Sequence, residues 1–134
     1  MWLKNIPIPP SLNNAYPTGR GGGRYKSKEL VCWEREFSGW ACQNANAIGL
    51  VRQELATAQR FLSIDCVYYF RKERILTKDG RAKRLDVDNR LKILIDAVTN
   101  LTAVDDSLVW QGSFKKVISQ TGVDFCDVRV SWVY

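Results

Sequence analysis

The amino-acid sequence predicts an α+β domain, a small mixed β-sheet packed with two main helices. Three observations carry that expectation. Residues 61–70 alternate, with Leu62, Ile64, Cys66, Tyr68 and Phe70 on one side, as a half-buried strand does. Two segments, one starting at Ser27 and one near Asp88, repeat apolar residues at steps of three and four, the period of an amphipathic helix. Shorter strand-like segments at 2–8, 108–118 and 123–134 give the order β-loop-α-β-loop-α-β-β, which suits a mixed sheet. At 134 residues, one domain spanning 1–134 is expected.

Each element has its own local reason. The first strand is limited by Pro7, Pro9 and Pro10, which places it at a sheet edge. Residues 10–26, rich in Pro, Asn and Gly, read as a mobile Gly-rich loop without helix, and Arg20, Arg24 and Lys26 make it a basic flap for an anionic ligand. Ser27 is a fitting N-cap with Glu29 in the first turn. One long helix should follow, burying Leu30, Trp33, Phe37, Trp40, Ile48, Val51 and Leu55; at that spacing Trp33 and Trp40 belong to the core rather than to a base-stacking platform. Residues 71–85 form a basic loop around the Asp79-Gly80 turn. The second helix, from Asp88 to about Leu101, should bury Leu91, Leu94, Ile95, Val98 and Leu101, and a closing hairpin around Gln120-Thr121-Gly122 should end the fold.

Composition narrows the chemistry. There is no histidine, which excludes zincins, Ser-His-Asp and Cys-His hydrolases and HNH nucleases. Cys32, Cys42, Cys66 and Cys126 are too widely spaced for a C-x-x-C motif and read as buried, reduced thiols. No apolar run reaches the ~18 residues of a membrane span, and the proline-rich start is unlike a signal peptide, so a soluble, cytoplasmic protein is expected. The formal charge of +6 fits an anionic partner, nucleic acid being the commonest.

The densest basic residues surround four acids. Asp86 and Asp88, two residues apart in a segment entering a helix, can share a cation. Lys92 follows Asp88 by one turn, at the rim of the apolar stripe, so both belong to the edge of a cleft. Asp105 and Asp106 return to that cleft only if the next strand runs beside the segment preceding the helix. Without function, Asp88 would be an N-cap, Asp105-Asp106 a turn, and Asp88–Lys92 an exposed ion pair. Carboxylates on a phosphate-binding surface are out of place unless a divalent cation reverses their sign.

The segment R-L-D-V-D-N-R-L-K-I-L-I-D-A-V, followed by V-D-D-S-L-V, closely resembles the signature of the RusA family of Holliday junction resolvases. The stretch Ile6 to Tyr16, I-P-I-P-P-S-L-N-N-A-Y, is similar to that family's opening strand and loop. The resemblance implies a RusA-like fold and a homodimeric endodeoxyribonuclease. It would depend on Mg2+, or Mn2+ in its place, and resolve four-way DNA junctions by paired phosphodiester hydrolysis in recombination and repair. It suggests a phage or prophage source, and hence a bacterial host's cytoplasm. Carried over by position, Asp86, Asp88 and one of Asp105 and Asp106 resemble the metal ligands, Asp106 being favoured, and Lys92 the essential lysine. Arg20, Arg24, Lys26, Arg71, Lys72, Arg74, Lys83 and Arg84 would hold the DNA backbone without reading sequence. Leu85 departs from the arginine that often precedes the first aspartate, leaving open which arginine meets the phosphate. Two alternatives stand beside this one: a nuclease of the same fold acting on flaps or other branched DNA, and a non-catalytic basic nucleic-acid-binding module.

Overall fold

The computed structural model describes residues 1–57, 60–85 and 87–133. They form an α+β fold with strands β1 (Trp2–Ile6), β2 (Leu62–Phe70), β3 (Val109–Ile118) and β4 (Phe125–Trp132). The helices are α1 (Leu12–Ala15), α2 (Lys28–Gln43), α3 (Ala45–Ala56), α4 (Lys72–Ile75) and α5 (Asp88–Thr102), with a 3-10 turn at Asp106–Leu108. The strands form a mixed sheet in the order β1-β4-β2-β3. β4 is antiparallel to both β1 and β2, whereas β2 and β3 are parallel.

That order corrects the expected closing hairpin. β3 and β4 follow one another in the chain but are not neighbours in the sheet. β4 inserts between β1 and β2, and β3 lies on the far side of β2 as an edge strand. The connection from β2 to β3 passes through α5, as a parallel pair requires. This is the arrangement that allows Asp105-Asp106 to come back toward the start of the helix.

The inward residues of β2, Leu62, Ile64, Cys66, Tyr68 and Phe70, are all buried, together with Cys126, Val128 and Val130 of β4. Against this face pack the expected residues of the first helical segment, Leu30, Trp33, Phe37, Trp40, Ile48, Val51 and Leu55. The segment is two helices rather than one, broken at Asn44, whose Nδ2 donates to Trp40 O at 2.8 Å. Ser27 caps α2 as expected, its Oγ accepting from Leu30 N. The indoles of Trp33 and Trp40 donate to Pro7 O and Lys4 O at 2.8 and 2.9 Å, so each buries its ring and satisfies its N–H on the first strand and the residue after it.

Local differences have local causes. Residues 10–26 contain a helical turn, α1, because Ser11 Oγ accepts from Asn14 N and caps it. The basic loop 71–85 contains α4 and a small turn in which Gly80 takes φ 79°. In α5 the buried residues are Ile93, Leu94, Val98, Thr99 and Thr102, whereas Leu91, Ile95 and Leu101 are only partly buried. Leu91 and Ile95 lie over Gly112 of β3, where an added Cβ would come within 3.7 and 3.9 Å of them. Cys66 and Cys126 are buried, but Cys32 and Cys42 are exposed, since both fall off the apolar stripe of α2.

The C-terminus of α5 ends in paired bonds. Ala103 N donates to Asn100 O and Val104 N to Thr99 O, the pattern of a Schellman cap, with Ala103 at φ 57° where glycine is usual. The turn delivers the chain directly to Asp105 and Asp106.

Candidate active site

Asp88 is the first residue of α5 rather than its cap; Val87 occupies the capping position and no side chain caps the helix. An acid in this first turn is favoured by the helix dipole. Lys92 follows one turn later, and its Nζ lies 3.9 Å from Asp96 Oδ2. The ion pair considered from the sequence, Asp88–Lys92, is thus replaced by Lys92–Asp96.

Asp88, Lys92, Asp96 and Asp106 line one open cleft of about 320 Å3 along α5, with Leu91, Ile95 and Val109 as its apolar part. Asp105 does not line it. Its Oδ1 accepts from Ser107 N at 2.9 Å and caps the 3-10 turn. The Ser107 hydroxyl and amide hold the Asp105 carboxyl below the usual carboxylate range. Of the two adjacent acids, one serves the turn and the other faces the cleft.

Asp86 lies outside the described residues. Among the described residues no three acids or thiols stand close enough to hold a metal ion. Asp88 and Asp106 nonetheless share the cleft, and neither makes an ion pair among the described residues. Oxygen donors alone, one or two of them carboxylates, match the needs of Mg2+, which keeps several waters. The donor set fits such an ion.

The expected backbone-binding residues divide. Arg20, Arg24, Lys72 and Arg84 are exposed. Lys26 pairs with Glu34 at 3.0 Å, and this partner raises its pKa. Lys83 Nζ donates to Glu73 O at 2.6 Å. Arg71 N and Arg74 Nη1 donate to the two oxygens of Asp124 at 2.7 and 2.6 Å, and the Arg74 guanidinium lies 5.2 Å from the centre of the Phe70 ring. Burial works against ionisation of Asp124, but these two donors hold its carboxyl below its ordinary value.

Three residues were not among the sequence candidates. Asp96 was legible as the i+4 partner of Lys92. Lys116 of β3 donates to Leu85 O at 3.0 Å, tying the edge strand to the segment before Asp86. Arg90 Nη1 donates to Pro9 O at 2.6 Å and so fastens the loop after β1 to the first turn of α5; burial first, and Arg74 nearby second, lower its pKa. Neither long-range contact leaves a local sequence signal.

Fold and cleft together define a small basic α+β protein that presents carboxylates and one lysine on a helix beside an edge strand. The chain belongs to the RusA family: the family model described as Endodeoxyribonuclease RusA matches residues 7–125. Members are endodeoxyribonucleases of Holliday junctions, and the chain is accordingly a nuclease of branched DNA. No curated protein matches the chain. Among the described residues no helix is long and apolar enough to cross a membrane.

Proposed function

We propose that this protein is a divalent-cation-dependent resolvase, working as a homodimer on four-way DNA junctions in recombination and repair. The observation that carries the proposal is the meeting in one cleft of Asp88 and Lys92, one turn apart on α5, with Asp106 from the turn after that helix. Asp88 and Asp106, with Asp86, would hold Mg2+ or Mn2+. Bound there, the cation supplies Lewis-acid polarisation of the scissile phosphate and activation of a water.

The chain's own residues do the rest. The carboxylates repel a phosphate in the absence of a cation and so make binding and cleavage separable. Lys92, a compact ammonium with three donors and no acceptor, would stabilise the charge that develops on the phosphoryl oxygens. Asp96 Oδ2, 3.9 Å from Lys92 Nζ, is the neighbour that orients the ammonium. Exposed cations, Arg20, Arg24, Lys72 and Arg84 among them, would hold the backbone. Near-symmetric arms call for two equivalent incisions, which a two-fold dimer supplies.

The test is cleavage of a synthetic four-way junction, a flap and a plain duplex, each with Mg2+ and with EDTA. Paired nicks in the junction, dependent on the cation and faster than on the flap, are expected. Preference for the flap would move the substrate assignment, and cleavage in EDTA would remove the metal assignment.

A further inference from the structure

The cleft at Lys92 and Asp106 continues into a larger one of about 1020 Å3, and Lys92, Asp96 and Asp106 belong to both. The floor of the larger cleft includes the edges of Trp33 and Phe37, both nearly buried. Tyr16, half-buried, adds an aromatic surface to the lining, and Asn100, exposed on α5, adds an amide.

Charge separates this cleft from the rest of the surface. Three cations, Lys26, Arg52 and Lys92, face four carboxylates, Glu34, Asp96, Asp105 and Asp106. Lys26 is paired with Glu34, and Arg52 Nε donates to Leu101 O at 2.7 Å. On a chain of net charge +6, a cavity without positive excess is a poor seat for a phosphate backbone. An aromatic and apolar floor with amide and carboxylate acceptors above it suits a neutral, planar, hydrogen-bonding group.

We propose that this cleft receives one unpaired nucleobase from the crossover of the junction, next to the phosphodiester positioned at Lys92 and Asp106. The proposal rests on the junction-nuclease function above. Stacking is interrupted at a crossover, so a base is withdrawn there at the least cost. An aromatic wall accepts any base face, and the Asn100 amide offers both donor and acceptor to its edge. The base anchors the strand, and the anchor selects which phosphate meets the acids.

Binding in EDTA decides the matter without cleavage. Two four-way junctions are compared, identical except that one is abasic at the crossover nucleotides. The wild-type protein is expected to bind the abasic junction about tenfold more weakly, the loss of one stacked base. Asn100→Trp, which fills the cleft, is expected to bind both junctions equally, near the wild-type affinity for the abasic one. Ser38→Trp blocks from the α2 wall and should do the same, which guards against misfolding of either variant. Equal wild-type affinity for the two junctions overturns the proposal, as does a tenfold preference that survives both blockades. Failure to nick with Mg2+ would instead strike the nuclease function while these affinities remain readable.

Discussion

Lys92 Nζ reaches forward along α5 to Asp96 Oδ2, 3.9 Å away, and not back to Asp88. Asp88 is thereby left to the cleft it shares with Lys92 and Asp106. Both partners of the Lys92–Asp96 pair are largely exposed, so it contributes little to stability. Lys92→Ala should therefore fold and bind junctions normally while single-turnover cleavage falls by ~10²–10³. Lys92→Arg should rescue poorly, because a broad planar fork does not replace a compact ammonium. A Lys92→Ala rate within about threefold of wild type removes the lysine from the chemistry.

The two adjacent aspartates should separate cleanly. Asp106→Asn is expected to lose at least about a hundredfold in cleavage while retaining or tightening junction binding, since a charge that repels phosphate is gone. Asp105→Asn should keep most activity, because asparagine caps a turn as well as aspartate does. Nicking assays beside gel shifts read both, and equal losses would mean that the pair acts as a unit.

Acid stability should report on Asp124. Its folded-state pKa is depressed, so its contribution is present above the unfolded value near ~3.9 and is lost as the pH falls through the lower folded value. Asp124→Asn should cost about 1–3 kcal/mol at neutral pH and flatten the fall in stability below about pH 4. Thermal melts of both proteins across that range give the comparison.

Ala103 holds a left-handed conformation at φ 57° that glycine adopts without strain. Ala103→Gly should stabilise the protein by about 0.5–1 kcal/mol, after allowance for the freer unfolded chain, and raise Tm by a few degrees. Unchanged or lower Tm would show that the cap is held by its neighbours rather than strained.

Periodicity made the core legible, from Leu30 to Leu55 and along β2, because a buried stripe leaves its period in the sequence. Carboxylates set among the densest basic residues made the segment from Asp86 to Lys92 legible, and geometry then separated Asp106 from Asp105. Strand pairing was harder. A short link containing Gly122 joins β3 to β4 and looks like a hairpin, yet β2 buries Ser63 and Val67 on its second face as well as the first. Burial on both faces fits a strand inside the sheet, but which strands flank it, β4 on one edge and β3 on the other, is set by long-range pairing that leaves no local signal. The choice of Asp96 over Asp88 by Lys92 was open, since both lie four residues away. Asp86 falls outside the described residues, so its place in the cleft is still a proposal.

The position of β4 has a consequence for how the molecule is made. The fourth of the described strands in chain order is the one on which β1 and the antiparallel edge of β2 both depend, and the amino group of Met1 itself donates to Val130 O at 3.0 Å. Until residues 125–132 have left the ribosome, β1 has no partner and β2 lacks one of its two. Pairings of such long sequence separation form slowly, so the nascent chain carries open strand edges until residues 125–132 emerge and pair. A chain halted just before Phe125 would retain every aspartate and lysine of the cleft, yet lack the strand that joins the two sides of the sheet.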